Sequence, residues 1–363
     1  MANNNRIWYA CQKAGIAPNG STSYQVIHGL QSMGITTNFQ LEQVFEIGMS
    51  AIYENIEGIP SVEVTLQKVL DGYPPIYTLI TQSQTGTPAA DLIARSTGKG
   101  ALGLSIYSDT STFAGGALQS AVELSGLYYS TCSYTIPVEG NAVEDITLVG
   151  NNKVWKGSTL TYTSDISSNT DSPLSIGGSG GINRREDLKT GVAGTLLPGS
   201  LPGITHFGTT TGSGYINITS TANTLHLQNI KVSTDVGRTE IFELGRKGVY
   251  YRFANFPVEV VTEIGILSIS GDMVNAIEDT AVGSCGAAGT LVDERIIIRL
   301  CEGLIIDAGK KNKLKSIGTT GGNTDGSNSE ITFTYSNFND FSLWHYADPQ
   351  GLKPTGVGEI GGW

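Results

Sequence analysis

Residues that could carry out catalysis or bind a metal ion are few and widely spaced in this chain of 363 residues. Its four histidines form no HxH or HxxxH pair, and its four cysteines form no CxxC pair: His28, His206, His226, His345, Cys11, Cys132, Cys285 and Cys301. Zinc sites normally draw two ligands from one short segment. The spacing therefore indicates neither a metal centre nor a disulfide framework, and no cofactor is expected.

Two glycine-containing segments resemble ligand-binding loops only in part. Gly98, Gly100 and Gly103 match the pattern GxGxxG, but a dinucleotide site also needs a strand before this pattern and a helix after it. Residues 323–326 read NTDG without the alternating ligands of a calcium loop. Turns explain both segments better. No catalytic constellation emerges, and we expect that the chain is not an enzyme.

The composition favours short strands and turns. Glycine contributes 47 residues, apolar residues make up 39% and charged residues only 15% of the chain. Few charges suit a subunit whose surface is largely covered by neighbours. The net charge of −11 argues against a free-standing nucleic-acid-binding protein, which normally needs a basic face. Neither a signal peptide nor an apolar run long enough to cross a bilayer is visible, so folding in a reducing cytoplasm is expected.

An internal repeat organises the chain. Residues 30–60 read LQSMGITTNFQLEQVFEIGMSAIYENIEGIP, and residues 227–257 read LQNIKVSTDVGRTEIFELGRKGVYYRFANFP, an offset of 197 positions. Eight of the 31 positions are identical without a gap: Leu30/Leu227, Gln31/Gln228, Thr37/Thr234, Phe45/Phe242, Glu46/Glu243, Gly48/Gly245, Tyr53/Tyr250 and Pro60/Pro257. An alternating, half-buried strand is expected after each proline. The pattern indicates a duplicated, mainly β domain.

The repeat predicts two tandem domains with a segment of different character between them. The expected boundaries are 1–156 for the first copy, 157–224 for a Gly/Ser/Thr-rich insertion or set of long loops, 225–345 for the second copy and 346–363 for an irregular tail. Proline early and glycine late predict a short helix over residues 88–98, with a weaker one over 273–279. Further strands are expected at 127–138, 146–154, 294–307 and 331–336.

Several blocks resemble one known family. FEIG at 45–48 with IYENIEGIPSVEVTLQKVLDGYP at 52–74, and FELGRKGVYYRFANFPVEVVTEI at 242–264, are separated by GINRREDLK and LPGSLPGI. These blocks resemble tail tube and related virion structural proteins of tailed bacteriophages, and the likeness covers most of residues 6–340. Individually, the motifs are degenerate.

The resemblance implies β-sandwich or barrel-like tube domains with minor helix, which assemble into stacked rings around a channel for the genome. It implies a homotrimer that forms a pseudo-hexameric ring, or alternatively a homohexamer, with other tail proteins as partners. DNA would pass through the lumen without specific binding. The expected location is the virion tail, assembled in the cytoplasm of the bacterial host. A neck, head decoration or receptor-binding β-sandwich protein is the alternative.

Charge differs between the two copies and suggests how they could meet. Residues 14–67 contain five glutamates and no lysine or arginine, whereas four basic residues enter the second copy where the first is neutral. The candidate contact residues are Glu42, Glu46, Glu54 and Glu57 on one side and Arg238, Arg246, Lys247 and Arg252 on the other. Acid would face base around the ring, although solvated strand surfaces explain the pattern equally well.

A second group of charges lies near the end of the second copy. Lys310, Lys311, Lys313 and Lys315 place four basic residues within six positions. An exposed hairpin tip explains such a cluster, and contact with an acidic partner surface is the alternative.

Overall fold

A computed structural model describes residues 7, 9–81, 90–108, 117–158, 160–162, 181–188, 226–267, 291, 293, 295–300, 304–321 and 328–345. The described chain is mainly β, as the composition predicts. One α-helix is described, α1 (Ile76–Thr81). The strands are β1 (Gln12–Pro18), β2 (Ser23–Val26), β3 (Leu30–Asn38), β4 (Leu41–Phe45), β5 (Ile52–Glu57), β6 (Ser61–Val69), β7 (Ala90–Asp91), β8 (Gly100–Tyr107), β9 (Leu118–Pro137), β10 (Val143–Gly150), β11 (Asn152–Lys156), β12 (Thr161–Tyr162), β13 (His226–Asp235), β14 (Arg238–Ile241), β15 (Tyr251–Ala254), β16 (Glu259–Leu267), β17 (Ile297–Arg299), β18 (Leu304–Asp307), β19 (Lys313–Thr320), β20 (Glu330–Phe338) and β21 (Ser342–His345).

One antiparallel sheet runs through both copies in the order β3-β6-β10-β9-β13-β16-β20-β19. Burial alternates from residue to residue along its strands, because successive side chains point to opposite faces of the sheet. In β6, Val62, Val64 and Leu66 are buried and the residues between them are exposed; in β16 and β20, buried residues alternate with half-buried ones. One face of the sheet therefore covers the core and the other is polar.

The long strand β9 belongs to two layers. Its first half pairs with β8 and β11, and its second half pairs with β10 and β13. The second layer continues from β8 through β1 and β2 to β12. Helix α1 is buried between the layers, where it contacts β1, β8 and β9. The first copy is thus a sandwich with a helix inside it.

The strands of residues 226–345 pair in a similar order and are shorter. β13, β16 and β20 take the places of β3, β6 and β10 in the large sheet. β17 pairs with β18, as β8 pairs with the first half of β9. β18 in turn pairs with β21, as the first half of β9 pairs with β11. β19 pairs with β20 as the second half of β9 pairs with β10. Residues 308–312 therefore correspond to the middle of β9.

The two copies share a core across their contact. Phe341 of the second copy is fully buried and its ring lies 5.9 Å from that of Tyr77 and 6.2 Å from that of Tyr134. Strand β7 of the first copy pairs with β21 of the second. The copies are therefore packed together within the chain as one hydrophobic unit.

Two sequence expectations change. The helix predicted over residues 88–98 is wrong, because Ala90–Asp91 is a strand and a turn follows it. The strand predicted over 294–307 is two described strands, β17 and β18, whereas those at 127–138, 146–154 and 331–336 lie within β9, β10 with β11, and β20. The helix predicted over 273–279, the tail 346–363 and most of the segment 157–224 lie outside the described residues.

Candidate assembly interface

The large sheet ends in two strands with an open edge. Among the described residues, β3 pairs only with β6 and β19 pairs only with β20. Apolar side chains at these edges are only half covered by the core: Leu30, Met33, Ile35 and Ile317. An edge strand presents unpaired N–H and C=O groups, so it can add another strand.

The contact between the copies shows how such an edge is filled within this chain. β9 and β13 pair antiparallel from Asn229↔Pro137 to Asp235↔Thr131. On the core side, Cys132, Tyr134 and Ile136 lie opposite Thr234, Val232 and Ile230, and all six are buried. The strands with free edges, β3 and β19, are those that correspond to β13 and to the second half of β9.

The other face of the sheet carries a polar groove of about 810 Å³. Hydroxyl and amide side chains dominate its lining, together with three carboxylates and one lysine: Ser32, Thr65, Gln67, Thr131, Ser133, Asp145, Thr147, Lys231, Ser233, Asp235 and Glu259. Lys315 Nζ donates a hydrogen bond to Glu259 Oε1 at 2.6 Å, which holds the pKa of that carboxyl below its usual value. With three carboxylates and one lysine, this groove has a slight excess of negative charge.

Each copy projects a hairpin between the first two strands of its half of the sheet. Hairpin 1 is β4 with β5, and hairpin 2 is β14 with β15. Leu41 pairs with Glu57 and Arg238 pairs with Ala254, so the alignment offset of 197 reproduces the register of both strands. The tips expose matching apolar side chains, with Ile47 104% and Leu244 106% exposed. Exposed apolar residues in such number indicate contact surfaces.

Hairpin 2 is seated on the first copy. Arg238 Nε donates to the carbonyl oxygen of Tyr129 at 2.9 Å, and its Nη1 donates to that of Ser96 at 2.7 Å. Arg252 Nη2 donates to Asn151 Oδ1 at 3.0 Å, and the same guanidinium pairs with Glu240. Burial lowers the pKa of both guanidinium groups. Arg238 and Arg252 are therefore committed to contacts inside the chain.

The remaining candidate contact residues lie at the surface. All four glutamates of hairpin 1 are exposed, namely Glu42, Glu46, Glu54 and Glu57, and so are Arg246 and Lys247 near the tip of hairpin 2. The chain thus brings none of the four glutamates to the four basic residues within the part that the structure describes. Whether they meet between copies stays a prediction.

The lysine cluster divides between two places. Lys310 and Lys311 are exposed in the connection from β18 to β19, and Lys313 and Lys315 lie at the start of β19. The backbone N–H of Lys310 donates to Asp340 Oδ2 at 2.8 Å. Lys310 and Lys311 therefore lie in a connection between two layers of the second copy, at the place that the middle of β9 takes in the first.

Sequence reasoning missed the polar groups inside the core. Glu144 is fully buried; its Oε2 accepts the N–H of Ile76 at 2.6 Å, and its Oε1 accepts the N–H of Tyr77 at 3.0 Å and the hydroxyl of Tyr134 at 2.9 Å. Burial raises the pKa of this carboxyl. The carboxylate satisfies the first N–H groups of α1, which have no intrahelical acceptor. Its role is structural, and the alternation of β10 around it gave no signal for that role.

A second buried polar cluster contains Lys68, Asp71 and His345. Lys68 Nζ lies 2.5 Å from Asp71 Oδ1, and both side chains are nearly inaccessible. Burial raises the pKa of Asp71, and burial together with the Lys68 charge lowers the pKa of His345 to about 3. In the described part of the chain no group of three His, Cys, Asp or Glu side chains is arranged to hold a metal ion. None of the helices described there is long and apolar enough to cross a membrane.

No protein-family model matches the chain, and no curated protein matches it. Several solved structures are similar to it in part, including the following three. The cap of the anti-feeding prophage, a tube-terminating cap, has a TM-score of 0.32 and 13% identity over 44% of this chain and 95% of its own. The sheath/tube terminator of an extracellular contractile injection system, in the extended state, has a TM-score of 0.29 and 16% identity over 43% and 100%. A chain of the anti-feeding prophage baseplate has a TM-score of 0.29 and 10% identity over 44% and 100%.

Proposed function

We propose that this chain is a structural subunit of a phage-type tail tube, in which three copies close into a ring of six similar domains. The β9–β13 junction carries the proposal, because it joins two domains edge to edge in one continuous sheet. Among the strands that the structure describes, it leaves without a second neighbour the two that correspond to its own members, β3 and β19. Pairing β19 of one copy with β3 of the next would repeat the internal junction. Such head-to-tail contacts generate a ring when the rotation closes.

The polar face of the sheet suits the inside of such a ring. A closed sheet buries its apolar face in the wall, so the hydroxyl-rich groove would line the channel. Proteins hold DNA by neutralising phosphates with lysine and arginine. A lining with more carboxylates than lysines would let DNA pass without binding it. The number of six domains per ring comes from the sequence resemblance, as do other tail proteins as partners and the virion tail as the location.

Native mass spectrometry and negative-stain electron microscopy of the full chain test the proposal. Three copies of 38.3 kDa give a ring of about 115 kDa with an open centre, and stacks of rings are expected at high concentration. Protein that remains monomeric at its highest soluble concentration, or that forms closed particles without a channel, overturns it.

Two adjacent proline variants supply an internal control. Along an edge strand, alternate residues direct their N–H groups toward the paired strand and toward the open edge. In β3, one of the variants Ile35→Pro and Thr36→Pro therefore removes an N–H group that faces β6, and the other removes an N–H group that faces the open edge. The variant that retains the wild-type melting temperature has lost only an outward N–H group. It is expected to stay monomeric, and ring formation by this folded variant would contradict strand addition at β3.

A further inference from the structure

Hairpin 2 packs on a surface of the first copy, which we call its seat, whereas hairpin 1 packs on no other element that the structure describes. All six residues of β5 are exposed, whereas in hairpin 2 Arg252 is 6% exposed and Tyr251 packs its ring 6.1 Å from that of Tyr128. In the described chain, no side-chain hydrogen bond or ion pair links residues 39–58 to another element. The two hairpins have the same register, but the residues that hold hairpin 2 on the first copy, Arg238, Tyr251 and Arg252, are replaced in hairpin 1 by Leu41, Glu54 and Asn55. Within the described part of the chain, hairpin 2 has a domain beside it and hairpin 1 has none.

The seat of hairpin 2 consists of three neighbouring segments of the first copy. They are the turn before β8 with Ser96, the middle of β9 with Tyr128 and Tyr129, and the turn between β10 and β11 with Asn151. In the second copy, residues 308–312 replace the middle of β9, and residues 339–341 replace the β10–β11 turn. The corresponding surface exposes Lys310 and Lys311, beside Asp340.

The charge of each docking surface is complementary to the charge of the hairpin that it would hold. At the position where hairpin 2 carries Tyr251, which packs on Tyr128, hairpin 1 carries Glu54. At the place of residues 128–130, the second copy carries Lys310 and Lys311. The Asp340 carboxylate in this surface already accepts the N–H of Lys310. An acidic hairpin therefore matches the basic surface of the second copy, while the seat on the first copy is filled by hairpin 2 of the same chain.

We propose that hairpin 1 of one copy docks on residues 308–312 and 339–341 of a second copy of this chain. The contact reproduces between chains the seating of hairpin 2 on the first copy, with Glu54 facing Lys310 and Lys311. The inference rests on the proposed ring, because β19 and β3 must be neighbours for the hairpin to reach this surface. It adds the residues that make the contact directional: of the two docking surfaces that the described residues form, the one on the first copy is filled by hairpin 2 and the basic one is open.

Charge reversal tests the contact. Glu54→Lys and the double variant Lys310→Glu/Lys311→Glu are each expected to weaken association between copies about tenfold or more at low salt, and less at high salt. Combining all three substitutions should restore association. Glu139→Lys, an exposed acid in the turn after β9, is the matched control and should leave association unchanged. Independent losses without restoration overturn the pairing.

Carbodiimide coupling locates the contact directly. Rings assembled from a mixture of ¹⁴N- and ¹⁵N-labelled chains are treated with carbodiimide, which joins a carboxylate to a lysine in contact with it. Mixed-isotope products that link residues 42–57 to Lys310 or Lys311 are the expected result. If wild-type rings form and such products link hairpin 1 to other lysines, or are absent, the docking surface is wrong and the ring stands. If no rings form, the proposed function itself fails.

Discussion

Gly48 and Gly245 lie 197 positions apart and occupy the same place in two hairpins, with φ angles of 93° and 82°. Only glycine adopts this left-handed conformation at little cost, because a Cβ atom would approach the following carbonyl oxygen. Nothing lies within 4 Å of a Cβ built at either position. Glycine is therefore required by the backbone conformation of the turn and not by crowding around it, and this holds for both hairpins.

Gly245→Ala is expected to lower the free energy of unfolding by about 1 kcal/mol, since hairpin 2 is packed on the first copy. Gly248→Ala, in the same turn with open space around it and φ outside the left-handed region, should change it by less than about 0.5 kcal/mol. Gly48→Ala should leave global unfolding of the monomer unchanged, because hairpin 1 has no seat within the chain. Chemical denaturation of the three variants checks this, and equal losses at positions 48 and 245 would contradict it.

The alternating strands and the two hairpins were predictable because their signals are local. Alternation identifies β6 and β16, and the shared Phe-Glu-apolar-Gly turn identifies both hairpins at the correct register. Helix α1 was not predictable by the same means, because all six of its residues are buried and show no polar face. Proline and glycine instead placed a helix at residues 88–98, where the chain pairs with β21 and turns.

The candidate interface was predictable only in part. Sequence alone separates an acidic segment of the first copy, residues 14–67, from the charge-balanced segment 238–263 of the second, and the structure keeps Glu54 at the surface. The sequence could not show that Arg238 and Arg252 donate hydrogen bonds to carbonyl and amide oxygens of the first copy, because these acceptors lie more than 100 positions away along the chain. Long-range hydrogen bonds leave no trace in local patterns.

Phe341→Ala is expected to lower the free energy of unfolding by about 3–5 kcal/mol, because it empties the site between Tyr77 and Tyr134. Since this core belongs to both copies, heat should still unfold the variant in one transition at a lower temperature. Phe338→Ala, at a position that is 54% exposed, is the control and should cost less than about 1 kcal/mol. Two separate transitions in differential scanning calorimetry would contradict a shared core.

Glu144→Ala is expected to cost about 2–4 kcal/mol, because it leaves the N–H groups of Ile76 and Tyr77 and the hydroxyl of Tyr134 without their acceptor. Glu139→Ala removes an exposed carboxylate from a neighbouring turn and should have little effect. Urea denaturation of both variants measures the difference. A neutral result for Glu144→Ala would mean that water or another group replaces the carboxylate at the start of α1.

Stability should fall in mild acid through His345. Burial, and next to it the charge of Lys68, lowers the pKa of this imidazole from 6.5 to about 3. As the pH decreases below 6.5, the unfolded chain therefore binds a proton that the folded protein excludes, and the free energy of unfolding decreases until about pH 3. Asp71, in the same cluster, has a raised pKa and acts in the opposite direction.

His345→Gln removes the imidazole and leaves the Lys68–Asp71 pair in place. Between pH 6 and pH 4, wild-type protein should lose about 1.4 kcal/mol per pH unit more than this variant. Urea denaturation at several pH values gives both slopes, and the comparison cancels the contribution of groups common to the two proteins. Parallel slopes would mean that His345 takes up its proton in the folded state as readily as in the unfolded chain.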